Sequence, residues 1–578
     1  PAAHVTVVQT GTGFTREATA SDSGYFVVAN IPIGQYDVTV EAKGFQKYVQ
    51  RSLNVGVNDR LLIEVNMVVG SLSESVTVSA DAAMVEASSG EVGRLVSGQQ
   101  ATQLQLNGRN YTQLLSLLPG VSTNNRSNFD LASGYGAAVT NQSVNGGRTG
   151  TLSVYLDGSD NLATGGGGHS FVNINPDAVA EVKVLTSNYS AEYGQSSGAV
   201  MNIALKSGTR DFHGSAYEFA RNSAMDARAF NALKKQKLTF NNFGWNLGGP
   251  LYIPGHLNKD KDQLFFFAGM DLKRLRRGNP STWNVPLAAQ KTGDFSALPA
   301  AQWPIDVTSR TVFPGGILPA SRISPNGKRL VANYPDPNFP GPGGNYAFEY
   351  SHPMDVNQYI GKIDYILSSK HQFSYYYVHD DYQSLENLTS LVTYRRTIPG
   401  TNQSAKWTWI INPTSVNSFQ ASIPGHHIYQ GDFSPNSLFI SDYSRTGQGI
   451  TYPMLYGSNG SIPSISVSGF TGLGVTPTIW SNSNRIIFFK DDFSKVLGSH
   501  TLKAGIFFQR NRKNQDNQPA VNGSFGFGPG HPLHSGNPLA DALLGNFSTY
   551  TEANGGREGW FRFTQTEFYF TDNWKVNR

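Results

Sequence analysis

Many segments of the chain alternate apolar and polar residues with the two-residue period of a β-strand. Tyr359, Ile363 and Tyr365 fall on one face of such a strand. Gln358 and Lys362 fall on the other. The same period recurs along the second half of the chain, and it predicts about ten amphipathic strands there.

Two environments could cover the apolar faces of these strands. In water each face needs a second sheet, whereas in a membrane lipid covers it and the polar face lines a lumen. Short turns such as 368–370 alternate with long polar connections such as 278–353 and 430–482. That asymmetry is typical of outer-membrane β-barrels, so we predict an antiparallel transmembrane barrel over residues 209–578.

The residues before the barrel follow a different pattern. Residues 1–70 hold short strands about ten residues apart, which predicts a small immunoglobulin-like β-sandwich. Residues 86–208 combine short strands with a helix over 104–118 and glycine-rich loops, including Gly165 to Gly168. We therefore predict a mainly β protein in which a compact α+β domain lies between a sandwich and a barrel.

Composition narrows the function classes. Lys plus Arg is 45 and Asp plus Glu is 41, so the net charge of +4 is too even for a nucleic-acid-binding protein. The chain has no cysteine, which excludes disulfides and thiolate chemistry. Charged residues are only 15% and aromatic residues 12%. Mean hydropathy is −0.32, and no apolar run is long enough for a spanning helix.

Residues 22–26, 31–40 and 43–45 resemble the carboxypeptidase regulatory-like (CnaB-like) domain. Despite the name of the family, that domain is not catalytic. Its usual first strand is absent here, and the chain begins at Pro1 without a signal peptide. We therefore expect a fragment of a longer precursor, truncated at both ends.

The next domain resembles the plug of TonB-dependent outer-membrane receptors. The signature residues that carry the resemblance are Asn107, Gly108, Arg109, Asn145, Gly146, Arg148, Asp157, Gly158, Glu192, Tyr193 and Gly194. With the regulatory-like domain in front, the resemblance points to the Oar-like and SusC-like branch. A complete receptor barrel has about 22 strands, so the resemblance implies that residues 209–578 are the N-terminal part of an incomplete barrel.

The linker 71–85 contains an extended segment that resembles a TonB box. The segment consists of Ser75, Val76, Thr77, Val78, Ser79 and Ala80. Such a strand can add to the sheet edge of a periplasmic partner. The alternative is a linker strand that completes the first domain, and the sequence leaves both interpretations open.

Other motifs carry less weight. Gly194 to Gly198 matches G-x-S-x-G, but a strand pattern follows it where a hydrolase elbow needs a helix. The pairs His426-His427 and His531…His534 fall in predicted loops without an acidic partner at metal-site spacing. The run 273–277 is basic and is predicted to end a strand. We predict no catalytic residue, no metal and no cofactor.

The sequence therefore predicts a TonB-dependent receptor and transporter of the bacterial outer membrane, not an enzyme. The expected partners are a TonB-type energy-transducing protein, outer-membrane lipid and an external ligand. Aromatic residues in loops, with Trp407 and Trp409 as examples, could stack on sugar rings, and the resemblance to this family branch implies a glycan or peptide ligand. The alternatives are a surface adhesion or matrix protein anchored by the barrel, and a soluble protein of several sandwiches.

Overall fold

The structure is a computed structural model. It describes residues 2–22, 24–28, 31–57, 59, 61–70, 75–79, 90–123, 131, 142–163, 170–228, 230, 234–340, 344–389, 391–456, 460–474, 479–517, 521–574 and 576. At 75, 76, 78, 79, 387–389 and 517 it describes the backbone alone. Ala80 and the glycine loop 165–168 lie outside the described residues.

The N-terminal domain is a five-stranded sheet in the order β2-β1-β3-β4-β5. Its strands are β1 (His4–Gln9), β2 (Thr15–Thr19), β3 (Gly34–Glu41), β4 (Lys47–Val55) and β5 (Ser75–Ser79). Alternation in β3 buries Tyr36, Val38 and Val40, as the two-residue period predicts. The extended segment 61–67 packs its apolar side chains on the same core and supplies the second layer.

The plug follows as an α+β unit. Its elements are β6 (Val92–Ser97), α1 (Gly98–Gln103), β7 (Val121–Thr123), β8 (Gln142–Val144), β9 (Ser153–Leu156), β10 (Ser159–Asp160), β11 (Val179–Ser187) and β12 (Val200–Leu205). Five of these strands form one sheet in the order β10-β9-β12-β11-β6. The predicted helix over 104–118 is wrong, because α1 ends at Gln103 and only 3-10 turns follow, at Asn107–Arg109 and Tyr111–Leu117.

The remaining strands run from β13 to β28. They are β13 (His213–Asn222), β14 (Leu238–Pro250), β15 (Leu264–Trp283), β16 (Ile305–Asp306), β17 (Thr311–Val312), β18 (Tyr346–Ile366), β19 (His371–Thr389), β20 (Val392–Asn412), β21 (Ser415–Ser422), β22 (Gly425–Pro435), β23 (Ser464–Val467), β24 (Trp480–Leu497), β25 (His500–Asn517), β26 (Ser524–Phe527), β27 (Thr549–Thr551) and β28 (Arg557–Trp574). The long ones form one antiparallel sheet in which chain neighbours pair, with β13 and β28 at its edges.

One position of this sheet is shared by two strands. β21 and β22 both lie between β20 and β24, and Ile423 and Pro424 separate them. Proline has no N–H for the ladder, which is consistent with the break at Pro424. The Pro424 carbonyl still accepts from the Ile486 N–H at 2.9 Å. The described sheet therefore has ten strand positions, which agrees with the sequence prediction.

The two faces of the barrel sheet differ as the alternation predicts. Tyr359 and Ile363 point outward and are 47% and 43% exposed. Gln358 and Lys362 point inward against the plug and are 3% and 8% exposed. The outer face is therefore apolar, and the inner face is polar and covered by protein.

The long connections gather at one end of the barrel and share a hydrophobic core. This external cap comprises the described residues of the connections, which are 284–340, 344–345, 436–456, 460–474, 479 and 521–556. Its helices are α2 (Ala288–Lys291), α3 (Pro325–Ala332) and α4 (Pro538–Leu544). Phe295, Val331 and Leu543 are fully buried in it. Two expectations were wrong here. The connections begin later than predicted, because β15 and β22 extend to Trp283 and Pro435. The connections also share a hydrophobic core, whereas the prediction described them only as polar.

The basic run 273–277 also needs correction. It lies inside β15 and does not end a strand. Arg276 pairs across the sheet with Asp355 on β18 at 2.7 Å. In the described part of the chain, no helix is long and apolar enough to cross a membrane.

Candidate functional site: the seam between plug and barrel wall

Arg109 ties the plug to the inner face of the barrel. It ends the 3-10 turn Asn107–Arg109, where Gly108 takes a φ of 64° against Leu131. Its guanidinium forms an ion pair with Asp177 of the plug. A second ion pair, to Asp271 of β15, spans 3.8 Å. One guanidinium therefore joins two structural units.

Aromatic rings of the first barrel strand cover the same guanidinium. Its carbon lies 4.5 Å from the ring centre of Tyr217 and 4.2 Å from that of Phe219. The Tyr217 hydroxyl donates to Asp271 at 2.8 Å. Arginine suits this place because its planar fork can stack on rings and hydrogen-bond at the same time.

Asp157 forms a second link to the wall. Its carboxylate accepts from the Leu205 N–H at 2.9 Å and pairs with Lys362 of β18 at 2.8 Å. Gly158 follows with a φ of 87°, and a Cβ there would lie 2.7 Å from Oε1 of Gln420. The signature aspartate and glycine therefore fit a tight turn against the barrel wall.

Glu192, Tyr193 and Gly194 form a third link, on strands far from the first two. Glu192 pairs with Lys503 of β25. The Tyr193 hydroxyl accepts from Asn202 of the plug at 3.2 Å. A Cβ on Gly194 would overlap the carboxylate of Glu567 on β28, so the missing side chain lets the plug approach the wall.

The remaining signature residues act within the plug. The Asn107 carbonyl accepts from the Gln113 side chain at 2.8 Å. The Asn145 side chain donates to the Thr186 carbonyl at 2.9 Å and fixes the turn at Gly146, whose φ is 74°. Arg148 is exposed at that turn. The structure thus joins three of the four signature groups to the wall and leaves the Asn145 group to internal turns.

Further contacts across the seam were missed by sequence reasoning. Gln358 accepts from the backbone N–H of Asn175 at 2.8 Å, and Asp380 accepts from that of Asn173 at 2.9 Å. Asn402, fully buried, donates to the Asp160 carbonyl at 3.2 Å. The only signal in the sequence is that polar residues occupy the inward positions of strands, which does not reveal their partners.

Burial also changes the chemistry of one plug carboxyl. Asp160 is buried beside the barrel wall, and this burial raises its pKa to about 7. The Leu162 N–H, which donates to Asp160 at 2.9 Å, opposes that rise. This carboxyl therefore titrates near neutral pH.

The N-terminal domain contacts the plug through charged groups. Lys183 of β11 pairs with Asp59 at 3.0 Å. Glu181 accepts from the Val57 N–H, and burial raises the pKa of its carboxyl to about 7. The Arg210 N–H also donates to the Gly11 carbonyl at 2.9 Å. The domain therefore lies at the short-turn end of the barrel, opposite the cap.

The candidate TonB box forms the edge strand β5. It pairs in parallel with β4, from Lys47 opposite Ser75 to Arg51 opposite Ser79. Thr77 is exposed. The segment therefore belongs to the first domain's sheet in this structure, and its outer edge has no strand partner among the described residues.

Two expectations about other motifs need correction. His426 lies in strand β22, not in a loop, and its ring is 5.3 Å from that of Phe171 in the plug. Trp407 and Trp409 lie in β20 near the short-turn end and stack with His371, so they are not residues of the external loops. They give no support to a glycan ligand.

The G-x-S-x-G motif has no elbow geometry. The Ser196 hydroxyl donates to the backbone carbonyls of Thr151 and Ala199, at 3.2 and 2.7 Å. Strand β12 follows it, whereas a nucleophile elbow requires a helix. The motif is a turn that closes the plug.

A plug held by buried polar contacts inside an antiparallel sheet with an apolar outer face defines the class of plugged outer-membrane barrels. Family models bear this out. Residues 204–578 match the outer membrane beta barrel domain, residues 74–200 the TonB-dependent receptor plug domain, and residues 1–68 the carboxypeptidase regulatory-like domain. The chain belongs to the outer-membrane β-barrel family and has the domains of a TonB-dependent receptor.

Individual proteins are similar as well. The TonB-dependent transporter Oar of Myxococcus xanthus is 25% identical over 306 residues, which cover 49% of this chain and 26% of that protein. The outer-membrane transporter YddB of Escherichia coli superposes with a TM-score of 0.47 at 10% identity, over 83% of this chain and 54% of that one. For the alcaligin receptor FauA of Bordetella pertussis the TM-score is 0.40 at 10% identity, over 84% and 60%. The chain thus matches about a quarter of the length of Oar.

Proposed function

We propose that the protein is a TonB-dependent importer that binds an external ligand and admits it when an energised partner displaces the plug. The observation that carries the proposal is the seam, in which Arg109, Asp157 and Glu192 each pair with an opposite charge, on Asp271, Lys362 and Lys503 of the wall. A plug that never leaves the barrel could be held equally well by apolar packing. Polar contacts suit a part that must separate and reseat, because each group finds an equivalent partner in water.

The proposed partner is a TonB-type protein that binds Ser75 to Ala80. Strand β5 is the edge of its sheet, and an edge strand offers backbone groups to a second chain. The partner would add to this free edge or would replace β4. The similarity to Oar, a protein named as a TonB-dependent transporter, supports the same partner. No step of this cycle makes or breaks a covalent bond, so the protein acts as a receptor and transporter and not as an enzyme.

The proposed ligand binds the external cap. The resemblance to this family branch still favours a glycan or a peptide as the ligand. We propose the cap as the binding region, instead of Trp407 and Trp409. The adhesion alternative would need the cap and the anchor alone. It gives no reason for a plug that forms ion pairs with the wall at three positions.

The absence of cysteine makes a direct test possible. A single cysteine is placed at Val76 in the complete precursor, as Val76→Cys, and a second in the C-terminal domain of the TonB-type protein. Formation of a disulfide is expected at position 76 but not with the control Ser88→Cys. Cross-linking that rises with a candidate ligand would identify the cargo. No cross-link at any position from 71 to 85 would contradict the proposed coupling.

A further inference from the structure

A group of three metal-binding side chains lies in the external cap, outside the seam. His531, His534 and Asp541 each offer a ligand atom, and these atoms lie within 4.8 Å of one another. The sequence prediction rejected the two histidines because no acid stands nearby at a familiar spacing. The fold brings in an acid from the helix that follows.

Helix α4 and a short turn build the group. Asp541 is fully buried in the first turn of α4, after Asn537 caps the helix. The His534 N–H donates to the His531 carbonyl at 3.1 Å, and this turn places both rings on the same carboxylate. The rings are 5.7 Å apart, centre to centre. The helix and the turn therefore fix the positions of the three side chains relative to one another.

The bonding of the group is incomplete without a further atom. One oxygen of Asp541 accepts from the Ser535 N–H at 2.8 Å. The other lies 2.5 Å from Nδ1 of His534 and 3.8 Å from Nε2 of His531. That Nε2 is buried and has no hydrogen-bond partner in the described part of the chain. A buried, unpaired ring nitrogen beside a buried carboxylate is costly unless a third group joins them.

The spacing suits a transition-metal ion. In a tetrahedral zinc site each nitrogen or oxygen ligand lies about 2.0–2.2 Å from the ion, so ligand atoms are about 3.3 Å apart. The two separations measured from Asp541, 2.5 and 3.8 Å, bracket that value. The two histidine nitrogens are at most 4.8 Å apart, so binding requires the rings to rotate toward a common ion. The histidine side chains are 12% and 21% exposed, which leaves room for a water as the fourth ligand.

We propose that His531, His534 and Asp541 bind a divalent transition-metal ion of the Zn²⁺ class. The ion would fix residues 531–541, and this segment contacts a second loop of the cap. Ser535, between the ligands, accepts from the Ile305 N–H at 2.8 Å, and Asn537 donates to the Gln302 carbonyl at 3.3 Å. Both partners belong to the connection 284–345. In a chain without cysteine, a metal ion can stabilise such a loop where an external domain often has a disulfide.

The test measures Zn²⁺ itself. The complete precursor, purified in detergent and stripped with a chelator, is titrated with Zn²⁺ alone and then with Co²⁺. The wild-type protein is expected to take up one more equivalent of Zn²⁺ than the variant His531→Ala. It should also give the visible Co²⁺ absorption of a tetrahedral site, and the variant should lose it. His256→Ala, in an exposed turn at the other end of the barrel, is the control and should change neither.

His531→Ala is chosen because it removes the ring nitrogen without a partner and leaves the Asp541–His534 contact in place. Its fold is checked by heat-modifiable migration on a gel. Equal uptake of Zn²⁺ by wild type and a folded His531→Ala variant would overturn the proposal. So would failure of the wild type to bind, which would mean that the group is only a hydrogen-bonded histidine–aspartate cluster. Neither outcome depends on whether the protein transports anything.

Discussion

Asp157 of the plug and Lys362 of the barrel wall form an ion pair of 2.8 Å in which the side chains are 18% and 9% exposed. The two residues are far apart in the chain and belong to different structural units. A buried charge that loses its partner is costly, whereas a buried pair replaced by neutral groups often is not. This pair therefore allows the attachment of the plug to be measured.

Asp157→Asn should lower the free energy of opening of the plug by about 3 kcal/mol, because it leaves the Lys362 ammonium buried without the charge of its ion-pair partner. The asparagine oxygen can still accept from the Leu205 N–H. Hydrogen exchange of the β12 amides in the complete precursor measures the effect. Adding Lys362→Met should restore most of the loss. A double variant as unstable as Asp157→Asn alone would show that the pair does not hold the plug.

Arg109→Lys should release the turn Asn107–Arg109 from the wall nearly as much as Arg109→Ala does. Lysine keeps the charge, but it cannot bond to Asp177 and stack on Tyr217 together. The expected loss is about 2 kcal/mol in the protection of the turn's amides, since hydrogen bonds to charged groups are worth about 1.5–3 kcal/mol. Arg148→Ala is the matched control from the same signature. Its side chain is exposed, and its effect should stay within about 0.5 kcal/mol.

Gly158→Ala and Gly146→Ala should differ, although both glycines have a positive φ, of 87° and 74°. A left-handed backbone costs alanine about 1–2 kcal/mol at either place. At Gly158 the new methyl group also meets Gln420 of the wall, whereas at Gly146 no atom lies within 4 Å. The midpoint temperature of thermal unfolding should therefore fall further for Gly158→Ala than for Gly146→Ala. Equal decreases in the midpoint temperature for the two variants would mean that Gln420 moves away from the new methyl group without a free-energy cost.

The free energy of opening of the plug should decrease as pH rises from about 4 to 7. The folded pKa of Asp160 is about 7, whereas the unfolded value is about 4. In that interval the folded state holds a proton that the unfolded state has released, so raising the pH favours opening. Protection factors of the β9 and β10 amides, compared at pH 5 and pH 8, measure this change. Asp160→Asn should remove most of the difference, and an unchanged difference would assign it to another group.

Alternation along the strands made the barrel predictable. The faces of Tyr359 and Lys362 follow from the two-residue period alone, because every second side chain must face lipid. The plug residues were predicted by resemblance, and their turns explain why glycine occurs at 108, 158 and 194.

Contacts between distant residues were not predictable in the same way. Lys362 meets Asp157, and Asp541 meets His534, only because the chain folds back from a remote position or through a helix. The cap was missed for a related reason: many of its apolar residues, such as Phe295 and Phe313, are spread irregularly through loops and show no period. Trp407 and Trp409 were assigned to loops because aromatic residues at a strand end and in a loop look alike in sequence.

The polar seam has a consequence for the rate at which the plug can move. An apolar interface gains no hydrogen bonds to water as it separates, so the free-energy barrier to its separation is high. Along this seam, water can replace the hydrogen bonds of Gln358, Asp380 and Asn402 separately, so the work of the proposed separation would be divided into small steps. Under the proposed pull, the plug would therefore leave the wall over a series of small barriers instead of one large one.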